Sequence, residues 1–336
     1  MEEEDPVPAG AIVSATYSPT GSRLATIHSG PAGQIKIWQR SGRSSWNLIS
    51  AWEVDGALYN VDWAAEDISV GMIATVGERG TVVWEESRDE PVVEENDVDM
   101  EEEDGGSGHG KGNGKQVVFK VVEKLGGESG NEIKFQRDGF IGVGGDDGRL
   151  RIWKQDTDQR WRLMSVIEDG DSKGGGLCWG NGVGSQGLLL CWGGEIWQGS
   201  FGGAEWRSLV NLRLDEEDSV ASQKIISADW TALTMPLTWV LALARENGQI
   251  DIVCVDPKAE VGLTKPEDAV VKMATLTEAQ GCAISKLEWS QTVGFLLAAA
   301  CDDGKCRVWR PREDSLEHWA LAENIALPAS EQKNKE

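Results

Sequence analysis

Two pairs of aspartates have the type and spacing of residues that do acid–base chemistry. Asp146-Asp147 and Asp302-Asp303 each place two carboxyl groups side by side, and paired carboxyls act as general acid and general base in many hydrolases. Both pairs stand directly before a glycine, between segments with strand-like sequence. An aspartate at that position of a hairpin accepts hydrogen bonds from the backbone of its own turn. We therefore interpret both pairs as turn residues.

A glycine-rich string and the histidines are the next candidates for chemistry. The string from Gly182 to Gly187 has the GxGxxG spacing of a dinucleotide loop, but such a loop follows a strand and opens a helix. Because β-type sequence flanks the string on both sides, we interpret it as a hairpin loop. The chain has 3 histidines, of which His109 and His318 lie in predicted loops. A hydrolytic triad therefore has few possible bases, and His28 is expected at the surface or at a sheet edge.

The 6 cysteines do not have the spacing of a metal site. None forms a CxxC pair, and most stand in apolar stretches, where cysteine behaves as a small hydrophobic residue. A zinc site needs clustered cysteine and histidine ligands, so we expect buried, reduced thiols instead. The sequence therefore predicts no catalytic residue, no cofactor and no metal, and we predict that the protein is not an enzyme.

The charge of the chain is strongly acidic and unevenly spread. The net charge is −24, and residues 85–104 alone carry twelve acids and one base. We find no basic stripe that would neutralise phosphates, which disfavours direct binding to nucleic acid or to anionic membranes. The longest apolar run is too short to span a bilayer, and the N-terminus lacks the pattern of a secretion signal. We therefore expect an intracellular protein without membrane insertion.

Two short patterns recur six times along the chain, as in a repeat protein. The first ends in an aromatic residue, at Tyr17, Trp63, Phe135, Trp179, Trp230 and Trp289. The second ends 18 to 24 residues later as a β-rich tetrapeptide, at Trp38, Trp84, Trp153, Trp197, Cys254 and Trp309. A middle apolar strand separates them, and turn dipeptides such as Asp303-Gly304 close two-residue hairpins before the tetrapeptide. A fourth strand follows most repeats and is predicted to begin near Trp46, Trp161, Trp206 and Trp319.

This order of strands predicts an all-β propeller. Four strands per repeat, with most repeats 44 to 59 residues apart, are typical of propeller blades. We predict the propeller over residues 11–328, with repeats at about 11–53, 57–124, 129–168, 173–214, 223–278 and 282–326. An acidic tail at 1–10, a disordered acidic and glycine-rich insert at 86–115 and a tail at 329–336 complete the domain plan. Large aromatics fill the space between blades, so the predicted blade core is Trp38, Trp63, Trp84, Trp153, Trp179, Trp197, Trp230, Trp289 and Trp309.

The repeats resemble the WD-repeat family, and within it the nucleoporin family of Seh-one and Sec-thirteen. The resemblance rests on three segments. The first is Ile35 to Glu86, with its paired Trp46 and Trp52, and the second is Asp146 to Trp153 with Trp161 after it. The third comprises Ile284 to Trp289, Asp302 to Trp309, and Trp319 to the end. The Gly-His and Trp-Asp dipeptides of WD repeats are absent, which removes the hydrogen-bond network that they form within a blade. The acidic insert and the glycine-rich fourth repeat also depart from the family.

The resemblance implies a six-bladed, open WD-repeat β-propeller that another chain completes. The partner would be an α-helical scaffold nucleoporin that donates strands between the first and last blades, beside other outer-ring nucleoporins of the Y-shaped complex. The implied location is the nucleus, at the nuclear pore complex of the nuclear envelope, and also the vacuolar or lysosomal membrane surface or the cytoplasm. The sequence does not identify the partner-binding residues. The alternatives are a subunit of the GATOR/SEA complex, a COPII-type vesicle coat, an iron–sulfur assembly adaptor or another WD-repeat adaptor, and an enzyme on a propeller scaffold.

Overall fold

The structure is a computed structural model. It describes residues 10–42, 45–65, 71–87, 117–126, 129–136, 138–168, 175–180, 187–200, 204–212, 224–231, 238–256, 269–290, 295–312 and 315–326. Several predicted features lie outside these ranges: residues 1–9 of the acidic tail, 88–115 of the insert with His109, positions 182–186 of the glycine-rich string, and the tail at 329–336.

The chain divides into two compact units, Met1–Ser129 and Gly130–Glu336. The first unit holds two four-stranded antiparallel sheets, in which strands adjacent in the sheet are also adjacent along the chain. The first sheet consists of β1 (Ile12–Tyr17), β2 (Arg23–His28), β3 (Ala32–Arg40) and β4 (Trp46–Asp55). The second sheet consists of β5 (Leu58–Trp63), β6 (Met72–Gly77), β7 (Gly80–Glu86) and β8 (Phe119–Leu125).

The second unit holds four sheets of the same kind. The third sheet consists of β9 (Gly130–Gln136), β10 (Phe140–Gly145), β11 (Arg149–Gln155) and β12 (Trp161–Glu168). The fourth consists of β13 (Cys178–Gly180), β14 (Gly187–Trp192), β15 (Glu195–Ser200) and β16 (Trp206–Asn211). The fifth consists of β17 (Ile225–Trp230), β18 (Trp239–Arg245), β19 (Ile250–Val255) and β20 (Val270–Leu276). The sixth consists of β21 (Ile284–Trp289), β22 (Leu297–Cys301), β23 (Lys305–Arg312) and β24 (Ser315–Ala326).

The hairpins between second and third strands have the predicted turn chemistry. Gly148 and Gly304 adopt φ of 76° and 70°, in the left-handed region that glycine enters without steric cost. The carboxylate of Asp147 accepts the backbone N–H of Arg149 at 3.1 Å. Asp303 accepts the N–H two residues further on at 3.2 Å. These bonds confirm the interpretation of the aspartate pairs as parts of turns.

One face of every sheet carries a bulky row across its first three strands, which we call the aromatic row. An aromatic residue on the first strand lies opposite Leu or Ile on the second, which lies opposite Trp, or in one sheet Val, on the third. The six rows are Tyr17–Leu24–Trp38, Trp63–Ile73–Trp84, Phe135–Ile141–Trp153, Trp179–Leu190–Trp197, Trp230–Leu241–Val253 and Trp289–Leu297–Trp309.

The other face of every sheet carries what we call the small pair. Side chains alternate between the faces along a strand, so the residues next in sequence to the aromatic row point the opposite way. A small residue on the second strand there lies opposite Ile or Val on the third. The six small pairs are Ala25–Ile37, Ala74–Val83, Gly142–Ile152, Cys191–Ile196, Ala242–Ile252 and Ala298–Val308.

Within each unit, the small pair of one sheet packs against the aromatic row of the next. Four buried clusters show this packing, between the first and second, third and fourth, fourth and fifth, and fifth and sixth sheets. Large side chains on one sheet thus enter the shallow surface of its neighbour, which gives the dense packing of a protein interior.

Candidate interaction surface

The aromatic row of the first sheet is largely uncovered. Tyr17 is 53% exposed and Leu48, opposite Trp38 on β4, is 49% exposed. At the position equivalent to Tyr17 in the second sheet, Trp63 is only 6% exposed. We name the open face of the first sheet as the surface formed by Ile12, Tyr17, Leu24, Trp38, Trp46 and Leu48. Exposed apolar patches occur at protein–protein or membrane interaction sites and in ligand grooves, which makes this face the candidate site.

Aromatic contacts and a buried hydrogen-bond chain hold this face in place. The rings of Tyr17 and Trp46 lie 5.8 Å apart with a tilt of 44°. Trp38 donates its indole N–H to the hydroxyl of Thr26 at 3.0 Å. Thr26 lies 3.0 Å from Nε2 of His28, and Nδ1 of His28 lies 3.1 Å from the carbonyl of Gly10. Because a carbonyl only accepts, Nδ1 carries the hydrogen and Nε2 accepts from Thr26.

The position of His28 corrects a sequence-based expectation. We expected a surface or edge residue, but His28 is buried. Its ring is tied to the backbone at Gly10 and, through Thr26, to Trp38. In the second sheet, Trp84 likewise donates to Thr75 at 3.0 Å. Indole-to-threonine bonds thus exist inside two sheets although the family dipeptides are absent.

The small pair of the sixth sheet is also incompletely covered. Ala298 and Val308 are half-buried, whereas Ala242 and Ile252, at the equivalent positions of the fifth sheet, are fully buried. Ile325 on β24 is exposed on the same face. The shallow side of this sheet is therefore a second partly exposed apolar surface, on the second unit.

Neighbouring first strands within a unit are joined by a repeated polar contact. The indole N–H groups of Trp63, Trp179 and Trp289 each donate to a backbone carbonyl on the first strand of the preceding sheet, at 3.0, 2.9 and 3.0 Å. The acceptors are Thr16, Lys134 and Asp229. This contact fixes the register of one sheet on the next while the aromatic ring packs.

Two carboxylates on these first strands have structural partners. Glu132 accepts the N–H groups of Gly176 and Leu177 at 3.0 and 2.6 Å, and burial raises its pKa. Asp229 accepts the N–H of Trp289 at 2.7 Å, and burial raises its pKa to about 6. Both carboxylates bind backbone N–H groups in or just before the first strand of the next sheet. Their pKa values are raised because they are desolvated between the two sheets.

The turn aspartates also form ion pairs, which sequence reasoning missed. Asp147 pairs with Arg151 at 2.6 Å and Asp303 pairs with Arg307 at 2.7 Å. Arg307 lowers the pKa of Asp303 to about 2. The repeated spacing of Asp and Arg, four residues apart across the hairpin, is the signal that would have revealed both pairs. These carboxylates are therefore occupied in structural contacts.

The predicted core tryptophans fall into two groups. Trp63, Trp84, Trp230, Trp289 and Trp309 are buried. Trp38, Trp153, Trp179 and Trp197 are half-buried. Two further tryptophans, Trp161 and Trp192, are buried and were not in the predicted core. Trp192 follows Cys191 of a small pair, so the alternation of faces along β14 was the signal for its burial.

Neither a metal-ligand cluster nor a membrane-spanning helix is found in the part of the chain that the structure describes. Among them, no three side chains of His, Cys, Asp or Glu are grouped as metal ligands are. In the same ranges, no helix has the length and apolarity needed to cross a membrane.

Comparison with known proteins gives one match. Residues 271–310 match the WD domain, G-beta repeat family. No curated protein shows significant similarity to the chain. The matched segment includes β21 and β22 of the sixth sheet. Together with the six repeated four-stranded sheets, the match supports a WD-repeat β-propeller that acts in protein–protein interaction.

Proposed function

We propose that this protein is a non-enzymatic scaffold subunit of the nuclear pore outer ring, an open propeller completed by strands from an α-helical nucleoporin. The observation that carries the proposal is the open face of the first sheet. Its residues belong to the same classes as those of the covered rows, yet Tyr17 is 53% exposed. An exposed row of this composition is a surface on which strands donated by a partner can pack.

The uncovered small pair of the sixth sheet supports the same function. In an open propeller, the first and last sheets each have one face without a neighbour, and those are the faces that donated strands would cover. The acidity of the chain, with a net charge of −24, favours a protein partner over nucleic acid. The proposed sites of action are the nuclear envelope and, for a shared pool, the vacuolar or lysosomal surface.

The test is affinity purification of the full chain with mass spectrometry of the proteins that co-purify. Leu48→Asp places a charge on the open face and should remove the helical nucleoporin from the purified material. The matched control is Val271→Asp, since Val271 is 55% exposed on β20, a strand of the fifth sheet. Recovery of GATOR/SEA or vesicle-coat subunits without nucleoporins would favour those alternatives. Equal recovery with both variants would refute the proposed surface.

A further inference from the structure

The surface that packs against an aromatic row has the same kind of residues wherever the structure describes it. In all six sheets the residue opposite Ile or Val in the small pair is Ala, Gly or Cys. Where the packing partner lies in the same unit, an aromatic row rests on such a pair. The first sheet contributes to the rule through its small pair Ala25–Ile37, which packs under the aromatic row of the second sheet.

The small residue is a steric requirement of this packing. A Cβ on Gly142 would lie 3.3 Å from side-chain atoms of Leu177 and Trp179 in the next sheet. A Cβ on Gly144 would overlap the ring of Trp192. Interiors packed at this density do not absorb extra methylene groups without displacement. The β-branched residue opposite the small one fills the remaining volume beside the rings.

We infer that the chain donated to the open face of the first sheet carries its own small pair. This inference rests on the proposed function and names the chemistry of the partner. The row Tyr17–Leu24–Trp38 has the residue classes of the covered rows. The surface that covers it should therefore have the residue classes of the small pairs that cover those rows. The partner therefore supplies two adjacent antiparallel strands, with Ala, Gly or Cys on one directly opposite Ile or Val on the other.

A second copy of this chain is the rival occupant, because Ala298 and Val308 of the sixth sheet satisfy the same rule. The net charge of −24 argues against it, since two strongly acidic copies repel each other. A foreign chain without that charge meets no such barrier. The surface is therefore assigned to a foreign strand pair.

Photo-crosslinking of the full chain in the cells that produce it tests this assignment. A benzophenone amino acid replaces Leu48, and the control carries it at Val271; these positions are 49% and 55% exposed. Mass spectrometry then identifies the segment joined at position 48. The expected product is a segment of another protein in which a small residue lies opposite Ile or Val, and changing that small residue to Leu should abolish the crosslink.

Each other product overturns a different statement. A crosslink to a helix or an irregular segment of another protein refutes the strand-pair inference and leaves the scaffold function standing. A crosslink to residues 297–308 of this chain, in the same or another copy, refutes both. Equal crosslinking at the two positions refutes the surface itself.

Tyrosine nitration of the purified complex gives an independent measurement. The chain has 2 tyrosines, Tyr17 on the open face at 53% exposure and Tyr59 on β5 at 40%. Coverage of Tyr17 to the 6% of Trp63 lowers its accessible fraction about ninefold, and its nitration rate should fall by a similar factor. Tyr59 should react at the same rate in the free chain and in the complex. An unprotected Tyr17 in the complex overturns the inference.

Discussion

Two tryptophans at equivalent positions of different sheets allow a covered aromatic row to be compared with an uncovered one by substitution. Trp309 and Trp38 both stand on the third strand of their sheets and end an aromatic row. Trp309 is fully buried against the fifth sheet. Trp38 is half-buried on the open face of the first sheet. We expect Trp309→Ala to lower the free energy of unfolding much more than Trp38→Ala.

The size of the difference follows from the packing. Truncation of a fully buried Trp to Ala costs about 3–5 kcal/mol, which applies to Trp309. Trp38 is only half-buried, so roughly half of that, about 1.5–2.5 kcal/mol, is expected. Each substitution also removes one indole hydrogen bond, to Glu278 at 3.1 Å and to Thr26 at 3.0 Å. The bond to the Glu278 carboxylate is charge-assisted and therefore the stronger of the two, so its loss adds to the larger cost of Trp309→Ala.

Guanidinium unfolding followed by circular dichroism measures both variants against the parent chain. The two free energies should differ by roughly 1.5–2.5 kcal/mol, well above the 0.3–0.5 kcal/mol within which independent effects usually agree. In the complex with its partner, the Trp38→Ala deficit should rise to that of Trp309→Ala because the row is then covered. Equal costs in the free protein would show that the first row is already fully packed, and the reasoning would fail.

Three further perturbations test single sites. Gly144→Ala should destabilise the protein by about 1–3 kcal/mol because the new Cβ overlaps a tryptophan ring of the next sheet. Ala300→Val, at the equivalent position of the half-covered sixth sheet, should cost under about 0.5 kcal/mol. Equal costs of the two variants in denaturant titrations would contradict the packing rule. Burial raises the pKa of Asp229 to about 6 from its ordinary 3.8, so the folded state holds this proton more tightly and stability falls as pH rises between those values. Asp229→Asn should therefore raise the melting temperature at about pH 7.5 and have little effect near pH 4, and the same gain at both pH values would refute this origin of the shift. Asp303→Asn should lower the melting temperature more than Arg307→Met, because Asp303→Asn leaves the buried guanidinium of Arg307 without its carboxylate. If Arg307→Met lowered the melting temperature more, the ion pair would not explain the presence of the two residues.

The repeated sheets could be predicted from sequence because their determinants are local. Strand alternation, turn dipeptides and a terminal Trp all lie within a few residues of the structure that they specify. Gly148, for example, needs its positive φ whatever lies elsewhere in the chain. The turn role of Asp147 follows in the same way.

Features that depend on contacts beyond the local strand and turn pattern could not be predicted. Local pattern places His28 at the end of a strand, but its burial depends on a carbonyl from another segment, at Gly10. Arg245 and Asp251 form an ion pair at 2.6 Å across a hairpin whose turn residue is Asn247, so the aspartate rule fails there. The open face is the clearest case, because Tyr17 belongs to the same recurring pattern as the buried Trp63. What differs is the neighbour, which no local pattern encodes.

The two sides of every sheet differ in depth, so each sheet has a ring-bearing side and a shallow side. A two-fold symmetric dimer would bring identical sides together, either crowding rings against rings or leaving voids between two shallow surfaces. Copies that met through these sides would instead pair a ring-bearing side with a shallow side, and such a contact leaves one side of each kind available, so it grows into a filament unless it closes into a ring. A strand-donating partner would therefore also terminate that growth, and an excess of this chain over its partner should be more harmful than the reverse.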